Sequence, residues 1–324
     1  MKKVLKCMGM MALVALAFTS CKKNEEKSII KVSTQELVCV DEDRAYLNDA
    51  TGKVNFEIGD MCMIFNINEA VPSESEASLY EAIEQGNIVA FTRSGYGHVA
   101  NDVHDNYYAF YPGGPGHTWP TLEDQNKCKF HVSATQTYRP GKPSMNDLYM
   151  CAKSTSEHVN DAYFPFNNFM GVLRLFPYEA AQRTVTRIQV VDNFYHLSGW
   201  VQLIIPEIDM AEVQSLFNNY DLSNESYVNT LNAWRNRVGL NITEAGRSIT
   251  LEIPDGVQLG NSRATTTGFD IVLRPLAMSQ GSHIIFTFVD EQGAETIKDV
   301  DLSFYHRGAI PNYRLNLGLN LDNY

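Results

Sequence analysis

The sequence lacks the short motifs that mark the common catalytic and nucleotide-binding sites. It contains no GxSxG nucleophile elbow, no HExxH zinc motif and no P-loop. Glycoside hydrolysis needs two paired carboxylates, and no pair stands out among the 38 acidic residues. We therefore expect a protein that is not an enzyme and that needs no cofactor.

Positive charge is also scarce. The chain has 26 Lys and Arg against 38 Asp and Glu, a formal net charge of −12 at pH 7. Nucleic acids and anionic lipid headgroups would be repelled by this balance. We expect no nucleic acid among the partners.

Cysteine is sparse, and no CxxC pair is present. The single CxxH, Cys128 to His131, has no second ligand pair beside it, so we expect no metal site. Besides Cys7 and Cys21, discussed below, the chain has Cys39, Cys62, Cys128 and Cys151. These four thiols are compatible with one or two disulfides or with four buried free cysteines, and the sequence does not determine the pairing.

Two loops carry side chains that could bind a ligand. One contains two imidazoles and two carboxylates, but it lacks the spacing of a metal site and is typical of a solvated turn: His98, Asp102, His104 and Asp105. The other, from Pro112 to Pro120 with Tyr111 and Trp119, could present aromatic rings to a sugar, although aromatic residues beside strands more often belong to a core.

One apolar run, Val4 to Phe18, stands out, and it is shorter than the roughly 20 residues that span a bilayer. Lysines precede it and small residues follow, which is the layout of a secretory signal peptide. Because Cys21 comes directly after the small residues, the segment resembles a bacterial lipoprotein signal. This resemblance implies cleavage between Ser20 and Cys21 and acylation of the cysteine, which would anchor the chain in the outer membrane.

A polar tether is predicted over residues 21–28. Its pair Glu25-Glu26 resembles the surface-export signal of Bacteroidetes-type lipoproteins. We therefore expect a lipid-anchored protein that is exposed at the cell surface.

Beyond the tether, short apolar stretches alternate with turn-forming residues, which predicts an all-β chain. A first strand is predicted over Ile29–Val40 and a last strand over Tyr313–Leu321. Helical spacing predicts a short helix over Glu74–Gln85 and a helical insertion over Met210–Ala233. A polar stretch near 155–163 suggests a domain boundary.

Several segments together resemble the fimbrillin-like lipoproteins of Bacteroidetes-type bacteria, a family of fimbrial subunits. The segments that carry the resemblance are 56–60, 107–112, 136–138, 147–152, 166–175 and 310–313. The resemblance implies two tandem transthyretin-like β-sandwich domains, which we place at 29–158 and 159–324.

The same resemblance implies assembly by strand exchange. A protease, often Arg-specific, removes the first strand, and a strand of the next subunit takes its place. In this sequence the removed strand would be Ile29–Val40, and the nearby cleavage point would be Arg44-Ala45.

The last predicted strand is the other candidate for exchange. It places five apolar side chains on one face: Tyr313, Leu315, Leu317, Leu319 and Leu321. It is either a donor strand or the strand that closes the second sandwich. The sequence ends at Tyr324, soon after this strand, which favours a closing strand and hence a tip, anchor or accessory subunit.

The sequence thus predicts a fimbrial subunit or fimbria-associated adhesin. Its expected partners are other fimbrial subunits, the outer membrane, and host or microbial surface glycans or proteins. The alternative is a surface lipoprotein that binds a glycan or another ligand without polymerising.

Overall fold

The computed structural model describes residues 29–34, 38–41, 54–66, 78–97, 107–112, 121–122, 127–141, 143, 147–154, 162–204, 209, 211–212, 215–216, 221, 223–240, 242–277, 281–290, 292–302, 308–309 and 313–324. Within these residues the chain is built mainly of β-strands, as predicted. No helix in the described part of the chain is both long and apolar enough to cross a membrane.

Seven strands form a closed barrel. They are Ile29–Thr34 (β1), Met61–Asn66 (β3), Ser78–Ala82 (β4), Ile88–Gly97 (β5), Tyr107–Tyr111 (β6), Met150–Ser154 (β10) and Tyr163–Asn168 (β11). Their order around the barrel is β1-β11-β10-β6-β3-β4-β5, and β5 pairs with β1 to close it. All pairs are antiparallel except β1 with β11.

Two further sheets come mainly from the C-terminal half. The first has four strands, Val38–Asp41 (β2), Gly171–Tyr178 (β12), Phe269–Leu273 (β17) and Tyr313–Asn320 (β22), in the order β17-β12-β22-β2. The second has five, Thr135–Thr137 (β9), Thr184–Asp192 (β13), Ser248–Gln258 (β16), Ser282–Val289 (β19) and Glu295–Asp301 (β20), in the order β20-β19-β13-β16-β9.

The remaining strands form two small sheets. One has the order β15-β14-β8-β7 and contains Thr121–Leu122 (β7), Lys127–Val132 (β8), Ser198–Ile204 (β14) and Ile242–Gly246 (β15). The other pairs Leu276–Ala277 (β18) with Gly308–Ala309 (β21). Short 3-10 turns lie at Arg263–Thr265 and Leu321–Asn323.

Helix α1 spans Glu225–Arg237, within and just beyond the predicted insertion. It begins because the Asn224 side chain accepts a hydrogen bond from the Ser226 N–H at 2.9 Å, a typical N-cap. Past the end of the helix, Gly239 has a φ of +82°, a backbone conformation that favours glycine. A side chain at this position would also clash with the Gln202 carbonyl.

The helix predicted over Glu74–Gln85 is wrong, because residues 78–82 form strand β4. Leu79, Tyr80 and Ala82 are each about 1% exposed, and the strand pairs on both sides, with β3 and β5. These pairings outweigh the helical spacing of the apolar residues. Two transthyretin-like sandwiches are not confirmed, since the barrel is a different arrangement from a sandwich.

Strand pairing crosses the predicted domain boundary at residue 158. β11 follows the boundary but lies in the barrel beside β1 and β10. β8 and β9 precede the boundary but pair with β14 and β16. The division into 29–158 and 159–324 remains a prediction.

One buried side chain joins the four-stranded and five-stranded sheets. Gln136 on β9 is 1% exposed. Its Nε2 donates to the Val272 carbonyl at 2.7 Å, and its Oε1 accepts from the Val272 N–H at 2.9 Å. Because Val272 lies on β17, the edge strand of its sheet, the Gln136 amide occupies the place of a neighbouring strand.

Candidate functional site

The candidate site for strand exchange is β1 and its surroundings. β1 has a partner on each side, β5 in antiparallel and β11 in parallel pairing. The apolar side chains Ile30 and Val32 are 0% exposed, whereas Ile29 is 47% exposed. Burial alternates over residues 29–32, which directs Ile30 and Val32 into the barrel.

Aromatic rings form the barrel interior behind β1. The Phe56 ring lies 5.1 Å from that of Phe91, 5.3 Å from that of Tyr111 and 5.9 Å from that of Phe166, in edge-to-face contacts. Phe91 is on β5 and lies directly opposite Ile30 in the pairing register. The β1 side chains thus complete an aromatic core.

Polar contacts hold the C-terminal end of β1. The Thr34 hydroxyl donates to the Val54 carbonyl at 2.6 Å, and the Thr34 N–H donates to the Asn87 carbonyl at 2.9 Å. The hydroxyls of Ser33 and Tyr163 lie 2.5 Å apart. Strand β1 is therefore docked by hydrogen bonds as well as by apolar burial.

The single strand predicted over Ile29–Val40 is two strands in two sheets. β1 lies in the barrel, whereas β2 lies beside the last strand at the edge of the four-stranded sheet. β2 pairs with β22 in parallel, with Val38 opposite Tyr313 and Val40 opposite Leu315. One segment near the N-terminus therefore takes part in both sheets.

The last strand, β22, lies inside its sheet. It pairs with β12 on one side over seven positions and with β2 on the other. Leu315, Leu317, Leu319 and Leu321 are at most 4% exposed. Leu321 follows the strand in a 3-10 turn.

Sequence reasoning missed β11, the strand that lies beside β1. In the structure Phe164 and Phe166 are buried and Tyr163 is exposed. The signal in the sequence was the pair of phenylalanines at alternate positions, Phe164 and Phe166. Pro165 obscured it, because proline is uncommon inside paired strands.

The half-buried carboxyl group of Asp60 lies next to Tyr111. Burial raises the pKa of Asp60, although hydrogen bonds from the Glu57 N–H and the Tyr111 hydroxyl act in the opposite direction. Burial and the neighbouring Asp60 raise the pKa of Tyr111. Since Tyr111 is 1% exposed, its ring is part of the core and does not face a sugar.

The structure reduces the number of possible disulfides among Cys39, Cys62, Cys128 and Cys151. Cys62 and Cys151 are free and buried. Burial raises the pKa of both thiols, that of Cys151 to about 12. Among the four candidates, only Cys39 with Cys128 remains as an internal disulfide, and the structure does not describe those two side chains.

Several predicted site residues lie outside the described residues: Ser20, Cys21, Arg44, Ala45, Trp119 and the cluster at 98–105. Within the described part of the chain, no three His, Cys, Asp or Glu side chains are grouped as metal ligands.

A separate cleft of about 640 Å³ lies on the five-stranded sheet, at one end of β13, β16, β19 and β20. Its size falls in the ordinary range for small-molecule sites. Its surface is about half polar, and the polar side chains that line it include Gln182, Arg183, Asp255 and Gln258. Arg183 covers the ring of Phe288, with its Cζ 3.9 Å from the ring centroid.

A scan against protein-family models finds no match. A search of curated proteins finds no match either.

Solved structures do match. A candidate cell adhesion protein from Bacteroides uniformis is 14% identical, with a TM-score of 0.51 over 92% of this chain and 94% of that one. A candidate cell adhesion protein from Bacteroides ovatus is 9% identical, with a TM-score of 0.48 over 91% and 93% of the two chains. A fimbrial protein from Bacteroides ovatus is 11% identical, with a TM-score of 0.37 over 90% of this chain and 49% of that one.

The name of the Bacteroides uniformis protein, whose TM-score is above 0.5, agrees with the resemblance of the sequence to fimbrillin-like proteins. The chain is therefore similar in fold to a candidate cell adhesion protein of Bacteroides uniformis.

Proposed function

We propose that this chain is a fimbrial subunit or fimbria-associated adhesin that assembles by strand exchange. The observation that carries the proposal is the position of β1, which closes the barrel between β5 and β11 and precedes Arg44 in the chain. Export as a lipoprotein through Cys21 and an outer-membrane, surface-exposed location are parts of the same proposal. The role is non-enzymatic.

Cleavage after Arg44 would separate β1 and β2 from the rest of the chain. Loss of β1 would leave β5 and β11 with unpaired backbone groups and would empty the positions of Ile30 and Val32. Fully burying an apolar side chain of this size contributes about 1.5–3 kcal/mol. A strand from another subunit with apolar residues at these two positions would recover both the pairing and the burial.

The position of β22 supports a tip, anchor or accessory role over a stalk role. As a donor, the strand would have to give up its pairing with β12 over seven positions, which cleavage after Arg44 leaves in place, and expose three leucines that are at most 4% accessible. A subunit that accepts a strand but keeps β22 docked fits this arrangement. Deletion of 313–324 should therefore unfold the four-stranded sheet, whereas a stable monomer would support a donor role.

The test of strand exchange treats the protein with an Arg-specific protease under native conditions. We expect a new N-terminus at Ala45 and, when the cleaved chain is mixed with a fimbrial subunit that supplies a donor strand, mixed multimers that survive unheated detergent gels; we expect neither in the Arg44→Ala variant. Protein extracted from cells that still begins at Cys21, or cleavage without multimers in that mixture, would contradict the proposal.

Competing peptides provide a matched control. A peptide of residues 29–41 should block multimer formation, and Ile30→Asp in that peptide should abolish the block because Ile30 is 0% exposed. The peptide with Ile29→Asp should still block, since Ile29 is 47% exposed. Equal effects of the two substitutions would show that the peptide does not occupy the place of β1.

The polar cleft favours a second candidate function, binding of a surface glycan without polymerisation. Amide and carboxylate side chains suit sugar hydroxyls, and Gln258 lines the cleft whereas Gln189 on β13 does not. Polysaccharide binding that is lost in Gln258→Ala and kept in Gln189→Ala, by a strictly monomeric protein, would support this function over strand exchange.

A further inference from the structure

Two buried arginines lie together where α1 ends and β17 ends. Arg235 is in the last turn of α1 and is 7% exposed, and Arg274 follows β17 and is 4% exposed. Leu240 touches both: its N–H donates to the Arg235 carbonyl at 3.0 Å, and its carbonyl accepts from Arg274 Nη1 at 3.1 Å. The backbone of one residue therefore connects the two arginines.

The dipeptide Tyr195-His196 connects them a second time. The Cζ of Arg235 lies 5.6 Å from the centroid of the Tyr195 ring. Arg274 Nε donates to the His196 carbonyl at 2.8 Å. The two guanidinium groups thus approach the same turn from different elements.

Arg274 is satisfied by backbone carbonyls, but Arg235 is not. Its Nε and Nη1 are enclosed, and neither has a hydrogen-bond partner among the described residues. Burying a charged group without partners costs several kcal/mol. An unpaired guanidinium next to a second one is an arrangement that an anion would stabilise.

The carboxylate nearest in the chain to this turn has its oxygens occupied. Asp192 Oδ1 accepts from the N–H groups of Phe194 and Tyr195 at 2.8 and 2.6 Å, and Oδ2 accepts from the Ser282 hydroxyl at 2.6 Å. Burial, and next the proximity of Arg235, lower the pKa of Arg274 to about 9, although Asp192 acts in the opposite direction. The negative charge of Asp192 therefore does not fully offset the positive charges of Arg235 and Arg274.

We propose that Arg235 and Arg274 form a binding site for a small oxyanion, a carboxylate or a phosphate group. Guanidinium N–H groups are the preferred donors to both. Arg274 is fixed by two carbonyls and supplies charge, while Arg235 supplies the unused donors. The site is separate from β1 and from the polar cleft, and it does not depend on strand exchange.

The test measures thermal unfolding of the full chain with sodium phosphate or sodium glucuronate, at ionic strength held constant with sodium chloride. We expect a saturable rise in Tm with at least one of these anions, and the more effective one identifies the chemistry of the ligand. In Arg235→Met the rise should disappear, while Arg235→Lys should bind at least tenfold more weakly than the wild type.

A second readout separates binding from a structural role. If Arg235 is buried without a partner, Arg235→Met should raise the Tm measured in chloride alone. Arg237→Met is the matched control, since Arg237 lies in the same turn of α1, pairs with Glu212 and is exposed; it should keep the anion response. A lower Tm or failure to fold in Arg235→Met, or no anion response in the wild type, would overturn the proposal.

Discussion

Replacing Gln136 should lower the stability of the protein strongly, because its one side chain satisfies two buried backbone groups. The Gln136 amide makes two buried hydrogen bonds with the Val272 backbone, at 2.7 and 2.9 Å. In Gln136→Leu both bonds are lost, and the Val272 N–H and carbonyl stay buried without partners. Each unsatisfied buried group costs about 1–3 kcal/mol, so we expect the two groups together to lower the free energy of unfolding by about 2–6 kcal/mol.

The assay is urea unfolding, in which the midpoint should fall while the slope stays constant. Thr137→Ala is the matched control, because Thr137 is adjacent on β9 and exposed, and it should change stability by no more than about 0.5 kcal/mol. Gln136→Glu should also destabilise at pH 7, since a carboxylate cannot donate to the Val272 carbonyl. A loss below about 0.5 kcal/mol in Gln136→Leu would refute the idea that this amide joins the two sheets.

Three further predictions concern other parts of the molecule. Burial alone would raise the pKa of Glu179, but hydrogen bonds and charge from Arg183 hold this pKa below its ordinary value of 4.5. The ion pair therefore stabilises the fold above that pH, and this stability is lost as the pH falls through the pKa of the folded state. In Glu179→Gln the loss of stability in acid, followed by circular dichroism, should be smaller than in the wild type. Cys62 and Cys151 should resist iodoacetamide at pH 8 until the protein is denatured, as read by mass spectrometry, because burial raises their pKa; rapid alkylation of the folded protein would contradict this. Phe56→Ala should cost about 3–5 kcal/mol in chemical unfolding, and a cost near zero would show that the barrel interior collapses around the missing ring.

The strands themselves were largely predictable from the sequence. The buried apolar side chains of β1 and β22 lie at the alternate positions that the sequence predicts, although Asn316, predicted on the opposite face, is buried as well. Turn-forming residues delimit many of the other strands. The helix over Glu74–Gln85 failed because apolar spacing in a short segment fits either structure, and only the pairing of β4 with β3 and β5 distinguishes them.

The candidate site was less predictable, because it depends on contacts between distant segments. Nothing in the sequence near residues 35–37 shows that β1 enters the barrel while β2 joins another sheet. The closure of the barrel rests on pairs such as Lys31 with Tyr163, and no local pattern specifies such a pair. Arg235 and Arg274 likewise read as ordinary charged residues until the fold brings them to the same turn.

The place of β22 in its sheet has a consequence for how the chain acquires its structure. Val38 pairs with Tyr313, so β2 has no partner strand until nearly the whole chain has been synthesised. Contacts between residues so far apart in sequence form slowly. During synthesis and transport β2 would therefore stay unpaired and open to association with other chains, whereas β1 can pair with β5 much earlier. An assembly factor or a rapid route of export that shields residues 38–41 would be most useful before Tyr313 emerges.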